Sequence, residues 1–186
     1  MSNSRQGCSL SGRSLYPIAL EQTRRCRELT AEIRALERET RVMMRALAPE
    51  LLALPGCSAL LGAQLVGQVA GAARFRSEVA FAMHSGTAPL PVSSGKSTRH
   101  RLNRTGNRRL NAVIHMIAIT QARMHSPAIA FMERKKAEGM SPREARRRLK
   151  RHIARTVYKT MLRGEQARMG QVLQAEFGAG VLAVAV

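Results

Sequence analysis

Between Pro17 and Ala48, residues Cys26, Leu29, Ile33, Leu36, Thr40, Met43 and Leu47 follow one another at intervals of three and four. That spacing gathers them on one face of an α-helix as a heptad seam, with Glu and Arg on the outer positions. Pro17 suits a first helical turn and Pro49 interrupts the run, so a coiled-coil-type helix is expected over residues 17–48. Pairing of two copies into a homodimer is the expectation. Packing of the helix on its own domain is the alternative, because Cys26 and Thr40 weaken the seam.

The same periodicity marks the rest of the chain as all-α. Residues 49–163 are expected to form a compact helical domain, preceded by a disordered leader over residues 1–16 and followed by a short Gly, Ala and Val tail over residues 164–186. Leu51 to Val69 reads as a short helix, a Pro55-Gly56 turn and a second helix. This is either a helix-hairpin-helix-like element, whose turn amides can face a phosphate, or a plain packed hairpin, because Ser58 stands where a second glycine is usual. Ser77 caps a helix ending near Ser85-Gly86, and Leu110 to Met124 is apolar enough for a buried central helix. After Ser141-Pro142 a last long helix carries Ala145, Leu149, Ile153, Val157 and Met161 on one face. Its other faces hold Arg143, Arg146, Arg147, Arg148, Lys150, Arg151, Arg155 and Lys159.

Charge narrows the function. The chain has 31 Lys or Arg against 12 acids and a formal net charge of +19. Up to Ala73 there are 9 basic and 6 acidic residues, and from Arg74 onward 22 and 6. So much like charge in one part is self-repelling, and a polyanion that releases counterions on binding is the simplest compensation. DNA or RNA is therefore the expected partner, with a solvated basic surface as the bland alternative. A membrane is not expected, since the apolar stripe of the last helix is taken up as core. Only Tyr16, Tyr158 and four Phe are available for base stacking, so contacts should run from Arg to phosphate.

The densest cationic stretch follows a segment of turn residues. Thr87 to Ser97 contains Pro89, Pro91, Ser93, Ser94, Gly95 and Ser97 and reads as an exposed loop. Lys96, Arg99, Arg101, Arg104, Arg108 and Arg109 come next with no acid among them. With Asn107, and with Arg147, Arg151 and Arg155 of the last helix, these are the candidate nucleic-acid-binding residues.

The run Ser85-Gly86-Thr87-Ala88-Pro89-Leu90-Pro91-Val92-Ser93-Ser94-Gly95-Lys96, continued by Arg99-His100-Arg101-Leu102-Asn103-Arg104-Thr105-Gly106-Asn107-Arg108-Arg109-Leu110-Asn111, resembles the C-terminal transposase domain of the insertion-sequence one-ten family, the bridge-RNA-guided recombinases related to Piv-type DNA invertases. Gly139-Met140-Ser141-Pro142-Arg143-Glu144-Ala145 and Leu149-Lys150-Arg151-His152-Ile153-Ala154-Arg155 look like the closing helix of the same domain. The resemblance implies a serine nucleophile that attacks a DNA phosphodiester, forming a covalent phosphoserine link and releasing a free 3′ hydroxyl as the strand is cut. The family's serine stands directly before the loop glycine, which maps onto Ser94, with Ser93 as its nearest competitor. A guide RNA is a further partner implied only by the resemblance.

The departure from the family is in the acids. Full-length members begin with a RuvC-type domain whose carboxylates bind magnesium, whereas this chain contains no Asp at all. No metal and no cofactor is therefore assigned to the chain, and magnesium is implied only with a RuvC-like partner domain. The expectation is a truncated member: a remnant, a piece that borrows the acidic half, or an inactive DNA-binding fragment. Cys8, Cys26 and Cys57 have no CxxC spacing, and the five histidines no paired metal spacing, which fits a reducing bacterial cytoplasm.

Overall fold

The computed structural model describes residues 12–94, 97–103 and 105–183. It falls into two units, Met1–Glu39 and Thr40–Val186. The described part of the first is the leading part of α1 (Gly12–Leu47). This helix starts five residues ahead of Pro17. Pro17 thus falls in the second turn of the helix, where its missing N–H removes one backbone hydrogen bond. The expected leader therefore keeps only Met1 to Ser11, which lie outside the described residues. Every residue from Tyr16 to Glu39 is exposed, and Arg24 and Arg25 flank Glu28 at 3.0 and 3.8 Å along the helix surface.

In the second unit the end of α1 turns Met44 and Ala48, rather than the seam residues Met43 and Leu47, into the core. Around them are α2 (Pro49–Leu52), α3 (Ala59–Val69), α4 (Glu78–His84), α5 (Arg108–Met124), α6 (Ser126–Ala137) and α7 (Pro142–Ala183). Between α4 and α5 stand two strands, β1 (Pro89–Ser94) and β2 (Ser97–Leu102), paired antiparallel. The class is all-α, with one two-stranded hairpin added.

Helix α5 is central and packs against α3, α6 and α7, while α4 and α2 pack on α7. It buries one face, through Leu110, Val113, Ile114, Ile117 and Ala118, and leaves Met116 exposed. All five periodic residues of α7, from Ala145 to Met161, are buried. Phe81 is fully enclosed between Phe75 and Tyr158, with ring centroids 5.4 Å away on each side, and the Tyr158 hydroxyl donates to the Phe75 carbonyl at 2.9 Å. Farther along α7, the Glu165 carboxylate accepts from the backbone N–H groups of Ala72 and Ala73 at 2.6 and 3.0 Å, and so fixes the α3–α4 connection. The residues expected to form a tail continue α7 instead, up to Ala183.

The α2–α3 turn is a packing joint. Gly56 has φ +76°, and a Cβ there would meet Thr120 at 3.2 Å and the Ile117 carbonyl at 3.3 Å. Gln121 donates to the Pro55 carbonyl at 2.8 Å, and Ser58 caps α3 by accepting from Leu61 N–H. The turn faces α5, which is the packed-hairpin alternative.

The segment read as an exposed loop is mostly β1. Pro89 and Pro91 occupy alternate positions, opposite Leu102 and His100, so both missing N–H groups fall on one parity of the strand. Leu90 and Val92, opposite Arg101 and Arg99, hold the other parity.

Candidate nucleic-acid interface

The hairpin stands on a buried polar base. Ser85, Thr87, Asn103 and Lys150 are the buried polar or charged residues among those described, and they lie at the two feet of the hairpin and on α7 beside them. Ser85 and Thr87 share a hydroxyl–hydroxyl hydrogen bond of 2.9 Å. Asn111 on α5 donates to the Ser85 carbonyl at 2.9 Å and accepts from Lys150 Nζ. At the second foot, Asn103 donates to the Met83 carbonyl at 3.1 Å and accepts from Thr105, while Asn107 N–H donates to the His84 carbonyl at 2.6 Å. Ser85, Thr87 and Asn103 are each hydrogen-bonded, and buried polar groups so partnered set one geometry.

Two glycines let the feet meet. A Cβ on Gly106 would lie 2.4 Å from the Gly86 nitrogen and 2.5 Å from its Cα, and Gly86 itself has φ +65°. Neither position has room for a side chain.

The sequence-derived candidates separate on this frame. Ser94 closes the described part of β1 opposite Ser97. Arg99 and Arg101 lie on β2, opposite Val92 and Leu90. Lys96 and Arg104 lie outside the described residues. Asn107 caps α5, accepting from Leu110 N–H at 3.0 Å and donating to Gln68 at 3.0 Å, so both ends of its amide are engaged within the fold. Arg108 and Arg109 are exposed on the first turn of α5. Arg155 is paired with Glu78 of α4 at 3.0 Å.

Arg108 and Arg147 line one cleft of about 920 Å³ between the start of α5 and the start of α7, together with Asn111, Arg143, Arg146 and Lys150. No acid lines it. A second cavity of about 510 Å³ opens between the first foot of the hairpin, α6 and α7; Arg147 and Lys150 border both, and Arg151 borders the second. Asn103, Asn111, Arg143, Arg146 and Lys150 were not among the sequence-derived site residues. The asparagines lay inside the recognised run, but their role needs contacts across 20 and 39 residues.

Cations bias the titration of this surface. His115 is held below 6.5 by burial and then by Lys150 and Arg146; His152 by burial and then by Arg155 and Arg151; His84 by burial and then by Arg74. The folded chain then holds fewer protons than the unfolded one between the lowered values and 6.5, so stability is complete above that window and is lost as pH falls through it. Thermal melts of the free protein should move to lower temperature from pH about 7.5 to about 5, and less steeply with a bound polyanion. A flat or rising melting temperature would contradict the assignment.

Among the described residues no three of His, Cys and Glu come together to hold a metal ion. Burial pushes the Cys57 thiol up to about 11, which makes it a packing residue and not a nucleophile. No described helix is long and apolar enough to cross a membrane.

Comparison with known proteins finds a similarity over this region. Residues 48–133, from the start of α2 through the hairpin into α6, match the family model described as Transposase IS116/IS110/IS902 family. A relative is the "Insertion element IS116 uncharacterized 44.8 kDa protein" of Streptomyces clavuligerus, 34% identical over 89 residues, a stretch covering 47% of this chain and 22% of that protein. The chain thus matches about a fifth of the length of that relative.

Proposed function

We infer that this chain serves DNA transposition as the part of a transposase that grips DNA phosphates and bears a serine nucleophile. The match over residues 48–133 supports the transposase reading. The acid-free cleft that gathers Arg108, Arg143, Arg146, Arg147 and Lys150 is the single observation that supports DNA as the partner.

The hairpin register supports Ser94 over Ser93. Residues directly opposite across an antiparallel pair, and alternate residues along a strand, share a face. Ser94 is therefore in register with Ser97, Arg99 and Arg101, whereas Ser93 is in register with Thr98 and His100. A nucleophilic hydroxyl needs cations beside the phosphate it attacks, and only the first row supplies arginines.

The carboxylate half of the site, with its magnesium, comes in this reading from a RuvC-like partner domain, and a guide RNA accompanies it. The seam residues Leu29, Ile33, Met43 and Leu47 remain more than a third exposed, which supports pairing of two copies through α1. A second reading is a DNA-binding module without catalysis, which the cationic cleft supports equally because phosphate contacts need no nucleophile.

Duplex binding tests the common part of both readings. Affinity should fall steeply with salt, and replacing Arg108 and Arg109 together by Ala should weaken binding to unrelated sequences alike, lowering the slope of log affinity against log salt by about 2. Loss confined to one target sequence, or affinity indifferent to salt, would refute it.

A further inference from the structure

The second cavity, of about 510 Å³ beside Gly86–Pro89, has a charge imbalance that the fold does not resolve. Two of its cations have carboxylates: Lys135 pairs with Glu138 at 2.7 Å and Arg148 with Glu144 at 3.8 Å. Arg134 of α6 and Arg147, Lys150 and Arg151 of α7 form no ion pair among the described residues, although Glu78 of α4 acts on Arg151 from beyond ion-pair distance. Lys150 is 9% exposed, and its ammonium, with three protons to donate, has the Asn111 side-chain oxygen as partner. The Nη1 of Arg151 is buried with no hydrogen-bond partner among the described residues. Burying charge without a counter-charge is unfavourable, and an anion in the cavity would supply one to Lys150, Arg151 and Arg147 together. Phe131 of α6 and His152 of α7 also border it, their rings meeting edge-on at 5.2 Å, with Arg134 and Lys135 at 5.5 and 5.8 Å from the Phe131 ring centre. The volume is that of a small-ligand site.

We propose that this cavity binds one phosphate-bearing nucleotide unit, its phosphate on Lys150, Arg151 and Arg147 and its base against Phe131 and His152. The chemistry is the same for a nucleotide within a polynucleotide strand and for a free nucleotide. The strand version rests on the function inferred above. Binding of a free mononucleotide does not, and would survive the failure of that reading. Burial holds the Lys150 ammonium below its ordinary range, with Arg147 adding to the effect, as expected where a counter-anion is wanting.

The test uses the full chain and two probes, inorganic phosphate and adenosine monophosphate, titrated against chloride at matched ionic strength. The melting temperature should rise saturably with phosphate, and further with the mononucleotide at equal concentration. Lys150→Met should weaken both by about tenfold or more. Arg151→Gln should weaken both likewise and carries the test if the methionine variant does not fold. Phe131→Leu should erase the advantage of the mononucleotide and keep the phosphate response. Displacement of adenosine monophosphate by a short single-stranded oligonucleotide supports the site as one for a strand, and simultaneous binding supports it as one for a free nucleotide. A phosphate response no larger than that of chloride, or one untouched by both Lys150→Met and Arg151→Gln, would overturn the proposal and identify the cavity as a water-filled gap between charged side chains.

Discussion

Gly106→Ala is expected to pull the hairpin off the helical body. The added Cβ would stand 2.4 and 2.5 Å from backbone atoms of Gly86 and 2.9 Å from the His84 carbonyl oxygen, none of which can rotate away. The two feet must part, and the bonds that cross between them, including Asn107 N–H to the His84 carbonyl, go with them. Forced overpacking of this kind costs about 3 kcal/mol, or roughly 10 °C in melting temperature for a unit of this size. Hydrogen exchange at the amides of Gly86, Thr87 and Asn107, whose bonds belong to the feet, should accelerate more than at core amides of α5. Gly67→Ala is the control, because a Cβ on that α3 residue meets nothing within 4 Å and alanine favours helix. Equal melting temperatures for the two variants would show that the close glycine contact does not hold the hairpin.

Much of this architecture was legible in the sequence, for identifiable reasons. The start and buried face of α7 could be read because Ser141-Pro142 is a strong start signal and the five core residues keep helical spacing without a gap. The α1 seam was legible as a helix, but not as to which face the domain would use. Met44 and Ala48 are buried while the seam residues Met43 and Leu47 stay exposed, because burial there depends on what α2 and α3 present. The hairpin was hidden by its composition, since Pro89, Pro91, Ser93 and Ser94 mark a turn locally, and only the pairing with β2 shows why prolines on one parity are compatible with a strand. No signal separated α6, whose buried contribution is Ala128, from its surroundings.

The site divides in the same way. A cationic surface followed from counting charges, but the particular cations did not. Arg146 through Arg151 look alike as a sequence, yet Lys150 is buried against Asn111, Arg148 is near Glu144, and Arg147 opens into two clefts. Asn107 and Arg155 were expected to contact nucleic acid, but the structure engages them within the fold, as a helix cap and as a partner of Glu78. Such distinctions depend on which helix lies across from which, and spacing along one helix carries no record of that.

The account turns on a hydroxyl at the end of β1 acting on a phosphodiester that arginines of the hairpin, α5 and α7 hold in place. Ser94→Ala separates the two roles. The hydroxyl should add little to affinity, because the salt-dependent grip comes from the cations, so duplex binding should stay within about twofold of the wild type. Chemistry, by contrast, should vanish, since removing a nucleophile leaves no group to form the covalent bond. Ser93→Ala, on the other register row, should retain it. The deciding measurement is mass-spectrometric mapping of protein–DNA adducts after the chain is incubated with target duplex, a RuvC-like acidic partner, magnesium and guide RNA. The account predicts a phosphodiester-linked peptide carrying the bond on Ser94 and none from Ser94→Ala; an adduct that persists in Ser94→Ala, or none from the wild type with every component present, would contradict it.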